Sequence, residues 1–225
     1  MSKIKLLSYL LTNDTPSYGN KDKFLIRIND NIDLGNTSNT STWIFTNNHI
    51  GTHIDAPFHF DSNGKKLSDF QSEFFLFNNI QVIFYSCDSS KLININDINF
   101  SFIDQSCEFL IFKTNYGKFR NEKKYWNESP SLSLELCKFI REKFTNLRLI
   151  GFDFISLTSQ GYKEEGKKCH IEFLANKVRP ILIVEDMNLA DIKNNDIEWA
   201  IVSPLFVEDG NGSPVTIFYK IKEIK

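Results

Sequence analysis

Ser131-Leu132-Ser133-Leu134-Glu135-Leu136-Cys137-Lys138-Phe139-Ile140-Arg141-Glu142-Lys143-Phe144, followed at once by Leu147-Arg148-Leu149-Ile150-Gly151-Phe152, is the stretch from which the fold class is read. Apolar residues at 132, 136, 139, 140 and 144 recur at helical spacing, and Pro130 suits a helix start. The short apolar run after it reads as a strand. The same order then repeats. Ile171, Leu174, Ala175 and Val178 stand at i, i+3, i+4 and i+7 and predict an amphipathic helix stopped by Pro180. Ile181-Leu182-Ile183-Val184 is a continuous apolar run, as expected of a strand covered on both faces.

Outward from this centre the chain is β-rich. Phe24-Leu25-Ile26-Arg27-Ile28, Thr42-Trp43-Ile44-Phe45, Val82-Ile83-Phe84-Tyr85 and Phe109-Leu110-Ile111-Phe112 read as strands between polar loops. Asp209-Gly210-Asn211-Gly212, between Leu205-Phe206-Val207 and Val215-Thr216-Ile217-Phe218-Tyr219, reads as the loop of a terminal hairpin. Strand–helix–strand succession with β-rich ends predicts a mixed α/β fold. At 225 residues, one domain spanning 1–225 is expected.

A net charge of −2 gives no electrostatic reason to expect nucleic acid or an anionic membrane as partner. Cys87, Cys107, Cys137 and Cys169 are scattered, without a C-x-x-C pair or a disulfide framework. Met1-Ser2-Lys3-Ile4-Lys5-Leu6-Leu7 runs into Thr12-Asn13-Asp14-Thr15-Pro16 without the small-residue site of a signal peptide. No stretch reaches the roughly 18 apolar residues of a membrane span. The expectation is a cytoplasmic, reduced protein.

The chain has four histidines, and His49, His53 and His59 fall within eleven residues with Asp55 between them. Imidazole and carboxylate are the usual ligands of zinc and its neighbours, so this grouping points to a metal centre. Gly51, Thr52 and Pro57 argue against a helix here. Positions 49, 53, 55 and 59 are all odd, so an extended segment would present all four side chains on one face. A straight strand would separate His49 and His59 by roughly 33 Å, so the segment must bend, at Gly51 and Pro57. The reading is a curved segment in which His49, His53 and Asp55 bind metal and His59 lies beyond them. A closed structural zinc site favours cysteine-rich sets of four, whereas this set favours an open, catalytic centre.

His170 begins the second helical stripe. Glu172, about 200° further round a helix, points away from it. Glu185 closes an apolar strand, where functional groups of α/β sheets gather and where a buried charge needs a cation. A solvated strand end is the alternative. Asp186 faces the other side of the strand.

His49-Ile50-Gly51-Thr52-His53-Ile54-Asp55-Ala56-Pro57-Phe58-His59-Phe60 meets the pattern H-x-G-T-H-x-D-x-P-x-H-F at all eight fixed positions. On that motif the chain resembles the cyclase-like metal-dependent hydrolases, a family that includes bacterial kynurenine formamidase and isatin hydrolase. Thr15-Pro16-Ser17-Tyr18, Phe109-Leu110-Ile111-Phe112-Lys113-Thr114, Ile150-Gly151-Phe152-Asp153-Phe154-Ile155-Ser156, Arg179-Pro180 to Met187 and Gly212-Ser213-Pro214-Val215-Thr216 resemble further family segments. The resemblance implies a single α/β domain, a mixed sheet of swivelling β/β/α type, assembled into homo-oligomers. It implies that His49, His53, Asp55, His170 and Glu185 bind metal, with Asp55 bridging if two ions are held, and that His59 is the acid–base residue. Lys113 stands where the family carries arginine, and the early loop lacks the tryptophan of kynurenine formamidases. The interval from His170 to Glu185 is longer than theirs.

The expected activity is hydrolysis of a small cyclic or aryl amide, lactam or ester. Water would be activated by one or two divalent ions, Zn²⁺ first and Mn²⁺ as the main alternative, and His59 would move the proton. Tyr18, Phe58 and Phe60 are candidates to line the pocket. Two rival readings stand beside this one. One is a metal-stabilised small-molecule-binding protein; the other is a cysteine hydrolase using Cys169, whose bland counterpart is a buried, inert thiol.

Overall fold

The computed structural model describes residues 4–222, so Met1-Ser2-Lys3 of the N-terminal segment read above lie outside the described residues. In chain order the strands are β1 (Ile4–Leu6), β2 (Phe24–Asp30), β3 (Thr40–Phe45), β4 (His53–Asp55), β5 (Leu76–Phe77), β6 (Ile80–Phe84) and β7 (Leu92–Ile93). They continue as β8 (Phe109–Lys113), β9 (Ser131–Leu132), β10 (Leu149–Phe152), β11 (Leu182–Glu185), β12 (Ile197–Pro204) and β13 (Gly212–Ile221). The helices are α1 (Lys124–Asn127), α2 (Leu134–Lys143) and α3 (Lys163–Leu174).

Nine strands form one mixed sheet in the order β5-β12-β13-β4-β11-β10-β8-β6, with β1 beside β13. Strands β6, β8, β10 and β11 run parallel, as strands joined by helical crossovers must. Phe109, Leu110, Ile111, Phe112, Leu149, Ile150, Leu182 and Ile183 are all buried, so the apolar runs are strands covered on both faces. On one face Ile150, Phe152 and Ile183 pack with Leu136 and Ile140 of α2 and Phe173 of α3. On the other, Ile54, Leu182 and Val184 pack with Val202, Val215 and Ile217 from the antiparallel half. This is the mixed α/β sheet expected from the sequence. Among the described residues no helix is long and apolar enough to cross a membrane.

Three local expectations are corrected. Pro130 precedes the short strand β9 rather than α2, whose N-cap is Ser133, its hydroxyl accepting from Leu136 N at 3.2 Å. The terminal hairpin is β12 with β13, so its first strand ends at Pro204, and Leu205-Phe206-Val207 belong to the exposed connection. The stripe from Ile171 to Val178 is not one helical face: α3 ends at Leu174, Ile171 is half exposed, and Val178 is 96% exposed. The helix stops well short of Pro180 for two reasons. Buried Arg141 from α2 donates to the backbone carbonyls of Glu172 and Phe173, capping the helix from outside. Asn176 Oδ1 then accepts from Val178 N and Arg179 N, a local turn that competes with helix.

The sheet ends are tied at the side where the histidines gather. Asp153, just after β10, accepts from Thr114 N at 2.8 Å and Thr114 Oγ1 at 2.5 Å, just after β8. Burial pushes the Asp153 carboxyl up to about 6 despite these hydrogen bonds.

Ile183→Ala, in the central parallel strand, is expected to cost about 2–5 kcal/mol in urea unfolding, and Val178→Ala less than about 0.5 kcal/mol. Comparable losses at both positions would contradict the observed end of α3. Because the folded-state value of Asp153 is raised, its contribution favours the folded state below the unfolded carboxylate range and is lost as pH rises towards 6. Melting of Asp153→Asn against the parent should therefore shift in the variant's favour between pH 4 and about pH 7. A difference in melting temperature independent of pH would refute the assignment.

Candidate metal centre

Strand β4 is three residues long and lies between β11 and β13. Gly51, with φ of +63°, turns the chain into it, and Pro57 opens the single turn Pro57–His59 that leaves it. These are the two bends expected from the sequence. Within β4 the alternation holds: Ile54 enters the apolar core, while His53 and Asp55 emerge together on the opposite face. The antiparallel register sets Glu185 of β11 directly across from His53, and directly opposed residues share a face. Helix α3 packs over that face and brings His170.

His53, Asp55, His170 and Glu185 are all buried and form a closed ring of donor atoms. His53 Nε2 lies 3.6 Å from Asp55 Oδ1 and 3.4 Å from Glu185 Oε2. His170 Nε2 lies 3.6 Å from Asp55 Oδ2 and 3.4 Å from Glu185 Oε1. These separations exceed those of good N–H···O bonds. One donor atom each from His53, Asp55 and Glu185 lies within 4.8 Å of the others, a group that could hold a metal ion, while His170 Nε2 faces the other oxygens of the same two carboxylates. The tautomers agree. His53 Nδ1 faces Gly51 O at 2.8 Å and His170 Nδ1 faces Gly166 O at 2.8 Å. A carbonyl can only accept, so each Nδ1 carries a hydrogen and each Nε2 is left to face the carboxylates, free to bind a metal ion once its own proton is displaced. Two imidazoles and two carboxylates facing one another are a donor set that suits a divalent cation.

The two carboxylates favour positive charge between them, which protons on the rings supply and a bound cation would replace. Burial alone would lower His53 and His170, but the Asp55 and Glu185 carboxylates outweigh it and hold the rings at about 9 and about 10. Burial would raise Glu185, yet His170 and His53 bring it down to about 2. Burial would raise Asp55 too, yet His49, His170 and His53 together hold it well below its usual value.

A second group, His49, Asp55 and His59, shares Asp55 with the first, its donor atoms lying within 4.8 Å of one another. His49 Nδ1 lies 2.7 Å from Asp55 Oδ1 and His49 Nε2 lies 3.1 Å from Asn211 Oδ1. His59 does not trail away beyond the others. Its ring stacks on His49 with centroids 4.1 Å apart, because the Pro57–His59 turn folds the segment back. Burial is the largest influence on His59 and lowers it to about 4, leaving a neutral imidazole at physiological pH.

The centre opens into a cavity of about 230 Å³ lined also by Tyr18, Phe60, Ser156 and Thr158. Phe60 stacks on His170 with centroids 4.7 Å apart. Phe58 lies instead under the Lys66 ammonium, outside the cavity. Cys169 is buried with its thiol on Leu132 O, turned away from the centre. Asp186 takes no place in the ring: it is fully buried behind it, paired with Arg120 at 2.7 Å and Tyr125 at 2.5 Å.

Sequence reasoning missed Asn211 and Gly212 as partners of His49. Asn211 was legible only as a loop residue. Gly212 pairs with Asp55, and a Cβ there would meet His49 Cε1 at 2.5 Å and Ile54 O at 2.8 Å. Gly212→Ala should displace His49 and weaken divalent-ion binding about tenfold or more in calorimetric titration, as does loss of groups that orient metal ligands. An unchanged isotherm from a folded variant would show that His49 takes no part in holding the ion.

Residues 6–158 match the model of the family described as "Putative cyclase". A kynurenine formamidase of Bacillus thuringiensis subsp. konkukian (strain 97-27) is 32% identical over 173 residues, covering 76% of each chain. Among solved structures, isatin hydrolase A from Labrenzia aggregata superposes with a TM-score of 0.77 at 18% identity, over 98% of this chain and 94% of its own. A protein described as a potential metal-dependent hydrolase with cyclase activity superposes with a TM-score of 0.68 at 16% identity, over 98% of both chains. At those identities the structural likeness speaks for the fold. The family match and the identity to the formamidase go further, and the chain belongs to the cyclase family, with bacterial kynurenine formamidases among its relatives.

Proposed function

We propose that the protein is a metal-dependent hydrolase of C–N bonds in small aryl or cyclic amides. The observation that carries this reading is the buried ring of His53, Asp55, His170 and Glu185, with donor atoms 3.4–3.6 Å apart and a neutral His59 close by. His53, Asp55, His170 and Glu185 would hold one ion, and His49 with Asp55 would hold a second where two bind. The N/O donor set suits Zn²⁺, with Mn²⁺ its main competitor. A divalent ion supplies a Lewis acid and lowers the pKa of water towards neutrality.

The remaining work falls to the chain's own residues. His59, entering as the free base, takes the proton from the attacking water and returns it to the leaving nitrogen. Stacking on His49 holds the His59 ring beside Asp55, and Phe60 packs flat on His170 and excludes water from that side. Tyr18 reaches into the same cavity; burial first, and then the charge of Glu185, raises its hydroxyl, which remains a neutral donor for a substrate oxygen. We treat the chain as one domain of this type. The apolar side chains exposed on the β2–β3 hairpin, Ile28 and Trp43 among them, support assembly of more than one copy. The buried, unpaired cysteines suit a reducing compartment such as the cytoplasm.

His59→Ala should keep its metal, measured by elemental analysis, and lose about 10²–10⁴-fold in hydrolysis of N-formylkynurenine, isatin or simple formanilides. Parent and variant acting equally on such a panel would exclude the role of His59. A metal-loaded parent inert towards all of them would favour a non-catalytic binding protein. Activity that survives chelators and fails on thiol alkylation would revive Cys169.

A further inference from the structure

The cavity has a carboxylate that the metal centre does not use. Asp22 stands just before β2 and Asn47 just after β3, and the Phe24–Phe45 pairing brings these two ends of the hairpin together against the cavity. Asn47 Nδ2 donates to Asp22 Oδ2 at 3.0 Å. The backbone of Asp22 is clamped by buried Ser17, whose Oγ accepts from Asp22 N at 2.9 Å and donates to Asp22 O at 3.0 Å. The carboxylate is thus held on a fixed frame in the cavity wall, partly exposed, with a neutral amide as its side-chain partner.

The rest of the lining leaves that charge unanswered. Among the described residues no lysine or arginine lines the cavity. Asp55 and Glu185 sit in the ligand ring, where histidines and a cation balance them. Asp22 lies outside the ring and makes no ion pair among the described residues. A fixed charge on a partly buried wall is screened less than one on the open surface and selects the charge of what enters. From this we infer that Asp22 is a specificity-determining residue. It favours amide substrates whose aryl or ring portion carries an ammonium group remote from the scissile bond, and it disfavours those whose only remote charge is a carboxylate. The inference rests on the amide-hydrolase reading for the reaction, but its charge argument concerns binding alone.

Three formanilides that differ only in the para substituent test it: aminomethyl, methyl and carboxylate. With metal-loaded parent protein, kcat/KM should fall in that order, the cationic substrate exceeding the anionic one by about tenfold or more, as expected for like-charge exclusion. Asp22→Asn preserves the shape and the Asn47 hydrogen bond, and should reduce the cation-to-anion ratio about tenfold; Asp22→Glu should restore part of it. The ratio should also shrink as salt is raised. A ratio unchanged in Asp22→Asn, or a parent that prefers the carboxylate, overturns the proposal. Calorimetric titration of the three corresponding anilines, as unreactive ligands, separates the two readings. If no formanilide is hydrolysed but the anilines bind in the order given and lose that order in Asp22→Asn, the amide-hydrolase reading fails and the assignment of Asp22 stands. If the neutral formanilide is hydrolysed and neither series discriminates by charge, only the assignment of Asp22 fails.

Discussion

Asp55 and Glu185 bring two carboxylates together on adjacent strands beneath a helix, both buried, and no lysine or arginine answers them among the described residues that line the cavity. Burying one unpaired charge costs more than a typical domain can spare, and two at close range cost more still. The arrangement is tenable because every other inward group is an imidazole and because the donor spacing admits a cation. Much of the surrounding structure follows from that requirement. The Gly51 and Gly166 carbonyls fix the ring tautomers. Gly212 lacks a side chain where His49 must pass. Arg120 and Tyr125 bind the neighbouring Asp186, so the chain turns immediately after Glu185 without adding a third charge to the ring.

The sheet topology makes this concentration of charge possible. Strand β4 is inserted between the parallel half, whose strands are apolar on both faces, and the antiparallel half, which covers one of them. One side of β4 is therefore sealed by apolar packing, and the other opens to a small cavity under α3. The opposed register of His53 and Glu185 converts an alternation within each strand into a shared face between strands. The hairpin loop and α3, which carry the groups around His49 and His170, are held by hydrogen bonds through Asn211 and Arg141.

Where sequence reading failed, the cause was tertiary. Periodicity alone favoured a helix running to Val178, but Arg141 from a different helix takes the carbonyls that would continue it. Pro130 looked like a helix start because a two-residue strand has no periodicity to recognise. Asp22 carried no signal at all, since a single aspartate in a polar loop acquires meaning only when the hairpin ends close beside the cavity.

The sequence by itself determined the donor types, the bends at Gly51 and Pro57, the common face of His53 and Asp55, and the apolar strands that bury them. These depend on residue chemistry and on periods of two or a few residues, which are local. Tertiary structure decided that His59 stacks on His49 instead of lying far along an extended strand. It also decided that His170 and Glu185 close the ring, although both are more than a hundred residues from the motif. Strand order and helix packing set those distances. They are properties of the whole buried core, which a local pattern can require but cannot by itself place.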